Sequence, residues 1–436
     1  MTIQVIGAGL AGCEAAWQIA QAGLPVTLYE MKPQKYSPAH QSPNFAELIC
    51  SNSLKAERVE SAAGLLKEEM RRLGSLLMQC ADSCRVPAGG ALAVDRHAFS
   101  AAVTKAVREH PLIQVCGEEV TKIPAEGITV VATGPLTSDA LAQEIAALCG
   151  GGLSFFDAAA PIVTAESLNR ERIFAASRYG KGEDDAYLNC PMNKEEYERF
   201  YDALIHAERA PVHDFDVADP KVYEGCMPVE VMAQRGADTI RFGPLKPVGL
   251  RDPNTGHRPW AVVQLRREDR EGTLYNLVGF QTNLKFGEQK RVFGLIPGLE
   301  QAEFIRYGVM HRNTFLNSPE VLNSDYSVRN NPNLFFAGQI TGVEGYMESA
   351  SSGLMAGRNA ARRAQEKATL TLPPETMIGA LSRYVQNGGE SDFQPMGANF
   401  GVMPPIEPHI RDKRARYAAF SERSLQLLSD IIQHIE

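Results

Sequence analysis

The chain has 436 residues, 44% of them hydrophobic and 22% charged, with a formal net charge of −8. That length suffices for two domains with a substantial core, and the acidic balance argues against wholesale electrostatic binding to nucleic acid while leaving room for a local basic patch. Eight cysteines without short regular spacings fit a reduced cytoplasmic protein, and no stretch reaches the roughly twenty uninterrupted apolar residues that a membrane helix needs.

The apolar start, residues 2–23, carries Glu14, lacks a basic lead and is broken by glycines at turn spacing, so it reads as the first element of a fold and not as a signal peptide. Residues 3–6 form a short strand, Gly7, Gly9 and Gly12 follow, a helix runs to about Ala22 with Gly23 as its cap, and a second strand ends at Glu30. This is G-x-G-x-x-G in a strand-turn-helix setting. Gly7 permits the tight turn, Gly9 lets the backbone approach a pyrophosphate, and Gly12 lets helix and strand pack closely. The helix N-terminus offers N–H groups to the phosphates. Glu30 suits unphosphorylated ribose hydroxyls, favouring FAD or NAD over NADP. A plain tight turn, or an S-adenosylmethionine site, would share part of this pattern.

Next comes FAELICSNS (45–53), in which Cys50 would lie near the redox end of a bound flavin or nicotinamide, either titrating or packing the pocket. A helix is expected from Ala62 to Asp82, with Leu66, Met70, Leu73, Leu77 and Cys80 on one buried stripe that Cys84 continues. Cys13, Cys116 and Cys149 also read as core. Asp95-Arg96-His97 opens a helix to about Val107; it resembles a segment that approaches the cofactor in related flavoproteins, the alternative being simple helix capping by Asp95. ITVVATGP (128–135) reads as a buried strand ending in a small-residue turn at Gly134. Residues 333–364 read as a strand, a turn through Gly338, Gln339 and Gly342, and a long small-residue helix.

That far-apart pair is typical of two-dinucleotide-binding flavoproteins, so the expected fold is α/β and Rossmann-like with an inserted α+β domain. Residues 1–155 and 325–436 would form the FAD-binding domain, and 156–324 the insert. The insert contains the strand-like runs 261–265 and 275–280 and a helix at 193–208; the tail, with 378–387 and 421–435, reads as helical. Gly7, Ala8, Gly9, Leu10, Ala11, Gly12, Glu30, Gly134, Gly338, Gln339 and Gly342 are the expected cofactor contacts. Many such flavoproteins carry an acid where Gln339 stands, which leaves open the side chain that fixes the ribityl chain.

The insert holds Cys226 in YEGCMPVE, a loop context suited to an accessible thiol or to a small buried hydrophobe, with Arg235 and Arg241 nearby. Between residues 232 and 291, eleven Lys or Arg face six Asp or Glu, and RDKRAR (411–416) adds a second basic run. These are either solvated surface or a track for a phosphate backbone.

At FAELICSNS, YLNCPMNKEEYERF (187–200), EGCMPVEVMAQRG (224–236), LVGFQTNLKFGEQKRVF (277–293) and RYGVMHRNTFLNSP (306–319), the chain resembles the folate- and FAD-dependent tRNA (uracil-5-)-methyltransferases, the TrmFO family. The resemblance runs from residue 3 to beyond 400. The related GidA (MnmG) enzymes share the glycine fingerprint but are longer. The resemblance implies methylation of C5 of the T-loop uridine in tRNA, with methylenetetrahydrofolate as carbon donor, reduced FAD as hydride source and NAD(P)H to reduce spent FAD. A thiolate adding at C6 turns the poorly nucleophilic ring into an enolate that attacks the one-carbon unit; a base then removes the C5 proton. Carried over by motif, the nucleophile is Cys226 and the base Cys50, while Cys190 is structural. Arg235, Arg241, Lys285, His311 and Arg312 are candidate folate or tRNA contacts. A ribosomal RNA uridine as target, or a GidA-like wobble-uridine activity, are the alternatives. Neither an obligate protein partner nor a metal is expected.

Overall fold

A computed structural model describes residues 2–37, 39–149, 153–158, 160–180, 187–210, 227–388 and 393–435. The first sheet has six strands in the order Ser327–Val328, Asn331–Phe336, Ile128–Val131, Ile3–Ile6, Val26–Tyr29, Ile113–Cys116. All neighbours are parallel except the edge pair that Ser327–Val328 makes. Its central strands are largely apolar, as expected for a parallel sheet covered on both faces; Ile128–Val131 is buried at every residue, Thr129 included. The late strand Asn331–Phe336 lies directly against Ile128–Val131, registering Leu334 with Thr129. The chain therefore returns to its first sheet as the sequence predicts.

Between these passages the chain builds a second six-stranded sheet, antiparallel throughout, in the order Phe174–Ala175, Tyr187–Met192, Ala261–Arg267, Leu274–Leu277, Ile162–Thr164, Phe304–Arg306. It has its own apolar core, with Phe200, Val263, Leu277, Phe280 and Phe293 fully buried. The helix Lys194–Ile205 begins with a reciprocal capping box between Asn193 and Glu196. A two-stranded ribbon, Leu153–Ala158 with Met310–Phe315, carries the chain out of and back to the first sheet.

Two expectations need correction. The stretch 62–82 is two helices, Ala62–Arg72 and Leu76–Ser83: Gly74 takes φ 71, and the Ser75 hydroxyl caps the second helix by accepting from Met78 N. The apolar stripe survives the break because both helices bury the same side, including Leu66, Met70, Leu77 and Cys80. The strand expected over 275–280 stops at Leu277, with Gly279 at φ 78.

The helix Leu10–Gln21 crosses the long helix Tyr346–Ala364 closely, through glycine. A Cβ on Gly353 would lie 2.2 Å from Ala11 O, and one on Gly357 2.5 Å from Ala15 O. This crossing brings the two helix N-termini side by side at the carboxyl edge of the parallel sheet, where ligands of such sheets bind. Among the described residues no helix is long and apolar enough to cross a membrane.

Candidate active site

One cavity of about 380 Å³ opens at that edge. Gly7 to Ala11 and Glu30 line one part of it, and Cys50, Gln339 and Tyr346 another. The three fingerprint glycines divide their work as the sequence predicts. Gly7 needs its φ of 97, and a Cβ on Gly12 would sit 1.7 Å from Gly7 O, whereas a Cβ on Gly9 would meet nothing within 4 Å. Gly9 is open because its surroundings are cavity. Glu30 accepts from Ala8 N at 2.9 Å and Lys32 N at 3.0 Å, fixing the loop while keeping lone pairs for a ligand hydroxyl.

Both helices that end at the cavity lack a side-chain cap: Gly9 and Gly345 hold the N-cap positions. Ser61, Ser75, Asp95, Asn193 and Thr376 close other helices with a side-chain acceptor, while Val229–Gln234, Thr239–Phe242, Phe286–Phe293 and Ser318–Val321 have none. Free N–H groups and the positive dipole end at two adjoining termini make an anion-accepting wall.

Gly134 (φ 69) and Gly338 (φ 89) line the same cavity. Gly342 does not: its Cα faces Phe393, whose ring would lie 2.4 Å from a Cβ there. Its glycine is required by aromatic packing. Gln339 Nε2 donates to Glu344 Oε2 at 2.7 Å, so the cavity does contain an acid, five residues later than in many flavoproteins. Beside it, Glu348 Oε1 accepts from Lys55 Nζ at 2.7 Å and from Ala398 N at 3.0 Å, while its buried Oε2 has no hydrogen-bond partner.

Cys50 is half-buried at the cavity wall. The Tyr346 hydroxyl oxygen accepts from Cys50 N at 2.8 Å and Ser51 N at 3.2 Å and lies 3.1 Å from Cys50 Sγ. With its oxygen already receiving two N–H groups, the hydroxyl turns its proton to the sulfur. Burial first, and then the facing Cys50, push the Tyr346 hydroxyl well above its ordinary range, so it keeps that proton.

The loop carrying Cys50 is clamped from outside the first sheet. Asn52 Nδ2 donates to Val94 O (3.0 Å) and Arg267 O (2.8 Å), while Arg266 donates to Asn52 Oδ1 (2.8 Å) and Ser51 Oγ (2.7 Å). Arg96 Nη1 donates to Leu48 O (2.5 Å) and Ile49 O (3.1 Å), and its Nε pairs with Glu268 Oε2 at 2.9 Å. Asp95 caps the helix Arg96–Glu109, accepting from Ala98 N at 2.9 Å.

The remaining candidates lie elsewhere. Cys226 is outside the described residues, as are the side chains of His311 and Arg312, whose backbone belongs to the ribbon. Arg241 lies 3.8 Å over the Trp260 ring and donates to Trp260 O, Lys285 pairs with Glu208 at 2.5 Å, and Arg235 is exposed at the end of the helix Val229–Gln234. None of these three lines the cavity. Arg266, counted in the basic run, is buried at the seam and so is not part of a surface track. Cys190 is fully buried and its thiol is pushed up by that burial, as is Cys80, to about 12. Among the described residues, no two cysteines form a disulfide with each other.

Sequence reasoning missed Tyr346, Glu344, Glu348 and the seam residues Arg266 and Glu268. Tyr346 meets Cys50 across 296 positions of chain, and no local pattern carries such a contact.

A family model described as "Glucose inhibited division protein A" matches residues 2–368. A methylenetetrahydrofolate–tRNA-(uracil-5-)-methyltransferase TrmFO of Desulfitobacterium hafniense is 62% identical over 98% of this chain and 98% of its own. The chain belongs to the TrmFO family. The TrmFO of Acetivibrio thermocellus is 61% identical over 99% of this chain and 98% of its own. Among solved structures, Aquifex aeolicus GidA matches with a TM-score of 0.71 at 16% identity, covering 98% of this chain and 73% of that one, a likeness of fold. The TrmFO relatives thus match this chain end to end, and the GidA structure extends beyond it.

Proposed function

We propose that this chain is a methylenetetrahydrofolate–tRNA-(uracil-5-)-methyltransferase, forming 5-methyluridine in the T-loop of tRNA in the cytoplasm without an obligate protein partner. The observation that carries the reading is a cysteine, Cys50, in the wall of the same cavity as an open dinucleotide-binding turn and a second uncapped helix N-terminus. The residues fit FAD: Gly9 leaves room for the pyrophosphate, Glu30 retains acceptors for ribose, and Gln339 with Glu344 offers polar groups further along. When bound and reduced by NAD(P)H, FAD supplies the hydride that completes the methyl group, and the folate supplies the methylene carbon.

The protein's own part is acid–base and nucleophilic. Cys226 adds to C6 of the uracil, and Cys50 takes the C5 proton once the methylene is attached. Tyr346 orients Cys50 by holding both its amide and its sulfur. Residues 1–155 and 325–436 form the FAD-binding part, and 156–324 the part that receives tRNA and folate. Arg235, Arg241, Lys285, His311 and Arg312 are its candidate contacts, of which Arg241 and Lys285 already have acidic neighbours in Asp238 and Glu208.

Incubation with tRNA lacking the T-loop methyl, labelled methylenetetrahydrofolate and NAD(P)H is expected to place label at uracil C5; absence of transfer refutes the reading. Cys226→Ala is expected to abolish the covalent adduct with 5-fluorouridine RNA, and an adduct that persists removes Cys226 as nucleophile.

A further inference from the structure

The seam between the two sheets contains a charge arrangement that neither cofactor binding nor the fold requires. Arg96 is 7% exposed, yet it is only partly neutralised: Nε meets one oxygen of Glu268, Nη1 serves the carbonyls of Leu48 and Ile49, and Nη2 is buried without a hydrogen-bond partner. Glu268, 3% exposed, likewise leaves Oε1 unpartnered. A side-on, single-contact pair is a poor way to bury two charges if stability were the only gain. Both carbonyls that Arg96 holds directly precede Cys50 in sequence.

We propose that Arg96 is a positioning residue for Cys50, holding the main chain that presents the thiol and favouring its thiolate form, and that Glu268 from the inserted part tempers that charge. The inference rests on the reading of Cys50 as the proton-abstracting thiol and adds how its ionisation is set. The chemistry is consistent on the sulfur side, where the Tyr346 hydroxyl turns its proton to Sγ and so prefers an accepting sulfur. Burial opposes the Arg96 charge, but Glu268, Tyr346 and Cys50 together hold its guanidinium above the ordinary range, so it stays cationic throughout the pH range in which a thiol titrates.

The other charged and titratable groups around Cys50 come from each element packed there. Tyr346 belongs to the long helix, and Arg306, from the strand Phe304–Arg306, is within electrostatic reach of Arg96, Tyr346, Glu47 and Cys50. Burial first, and then Arg96, lower the Arg306 guanidinium, which makes Arg306 the weaker of the two cations in this setting. Glu47 lies on the loop of Cys50 itself, held by Lys32 at 3.7 Å and by the amides of Gln41 and Ser42. Arg266, from the strand Ala261–Arg267, donates to Ser51 Oγ and Asn52 Oδ1 on the far side of Cys50, whereas Arg96 grips the main-chain carbonyls that lead into it.

The test is the pH dependence of iodoacetamide alkylation at Cys50, followed peptide by peptide in the full-length protein. Arg96→Gln is expected to move the midpoint up by about one pH unit, slowing alkylation about tenfold at pH below the midpoint. Glu268→Gln is expected to move it the opposite way, down, because the cation is less neutralised, and Arg96→Lys is expected to fall between Arg96→Gln and the parent. Loss of packing alone would expose the thiol in both Gln variants and move both midpoints the same way, down. Midpoints that stay put, or that move in the same direction in Arg96→Gln and Glu268→Gln, overturn the proposal. Methyl transfer to tRNA is measured separately, so failure of the functional reading and failure of this one are distinct results.

Discussion

The long helices Leu10–Gln21 and Met377–Asn387 of the first part begin differently, one on the cavity wall and one in the core, and the contrast separates binding from scaffolding. At Leu10 the N-cap Gly9 has nothing within 4 Å of an added Cβ, and at Tyr346 the N-cap Gly345 also lacks a side-chain cap, with Glu348 and Lys55 beside it at the cavity wall. At Met377 the corresponding groups are closed twice over, by the Thr376 hydroxyl and by the buried carboxylate of Glu69, which accepts from Met377 N (2.7 Å), Ile378 N (2.8 Å) and Ser424 Oγ (2.5 Å). In the inserted part, buried side chains satisfy loop groups: Glu230 accepts from Thr282 Oγ1 and Asn283 N, and Gln289 donates to Leu284 O and Gly308 O, although the helices Val229–Gln234, Thr239–Phe242 and Phe286–Phe293 have no side-chain cap. Buried donors and acceptors are normally satisfied, so uncapped termini on a cavity wall mark where a ligand completes the structure.

The contrast can be broken by substitution. The largest effect is expected at the thiol: Cys50→Ala should lower methyl transfer by about 10²–10⁴-fold, the range for loss of a positioned general base, with FAD affinity retained. Equal turnover would reduce Cys50 to cavity packing.

Gly12→Ala comes next, because its Cβ would lie 1.7 Å from Gly7 O and the backbone must move. A loss of about 3 kcal/mol or more is expected in denaturant unfolding of the FAD-free protein; an unchanged midpoint would mean that the crossing of helix and turn is looser than described.

The closed ends have their own signature. Burial pushes the Glu69 carboxyl up to about 7 despite its hydrogen bonds from Ser424, Ile378 and Met377. Its folded-state value lies above the unfolded one, so its contribution is fully present below pH of about 4 and is lost as pH rises through about 7, by about 3 kcal/mol at most. Unfolding free energy measured at pH 5 and pH 8 should show that decline, and Glu69→Gln should flatten it. A variant with the parent's slope would assign the titration elsewhere.

Gly9→Ala sharpens the comparison at the smallest scale. Its φ of −73 suits alanine and no atom lies within 4 Å of the added carbon, so stability without FAD should stay within about 0.5 kcal/mol of the parent. FAD affinity should nevertheless fall about tenfold, some 1.4 kcal/mol, because the methyl group occupies space meant for the pyrophosphate. Lost stability with intact FAD binding would invert the roles of Gly9 and Gly12.

Much of the fold was legible because its signals are local. The glycine spacing, Glu30 after its strand, the β-branched run at 128–131 and the later strand and small-residue helix each state their structure within a few residues. The break at Gly74 was hidden because the apolar spacing continues through it. Within the site, Cys50 and the open turn could be read, but what holds the Cys50 loop could not: Tyr346 reaches Cys50 from 296 residues away, and Arg266, more than 200 residues away, bonds the adjoining Ser51 and Asn52 while looking in sequence like one more surface cation. Gly342 had the spacing of a cofactor turn, yet its glycine answers to Phe393.

The central claim is that the open helix ends hold a dinucleotide whose redox end reaches Cys50. Alkylation of Cys50 should therefore slow at least about tenfold when FAD is added to the FAD-free protein, while the half-buried Cys116 and Cys149 outside the cavity react at unchanged rates. Equal Cys50 rates with and without bound FAD would contradict it.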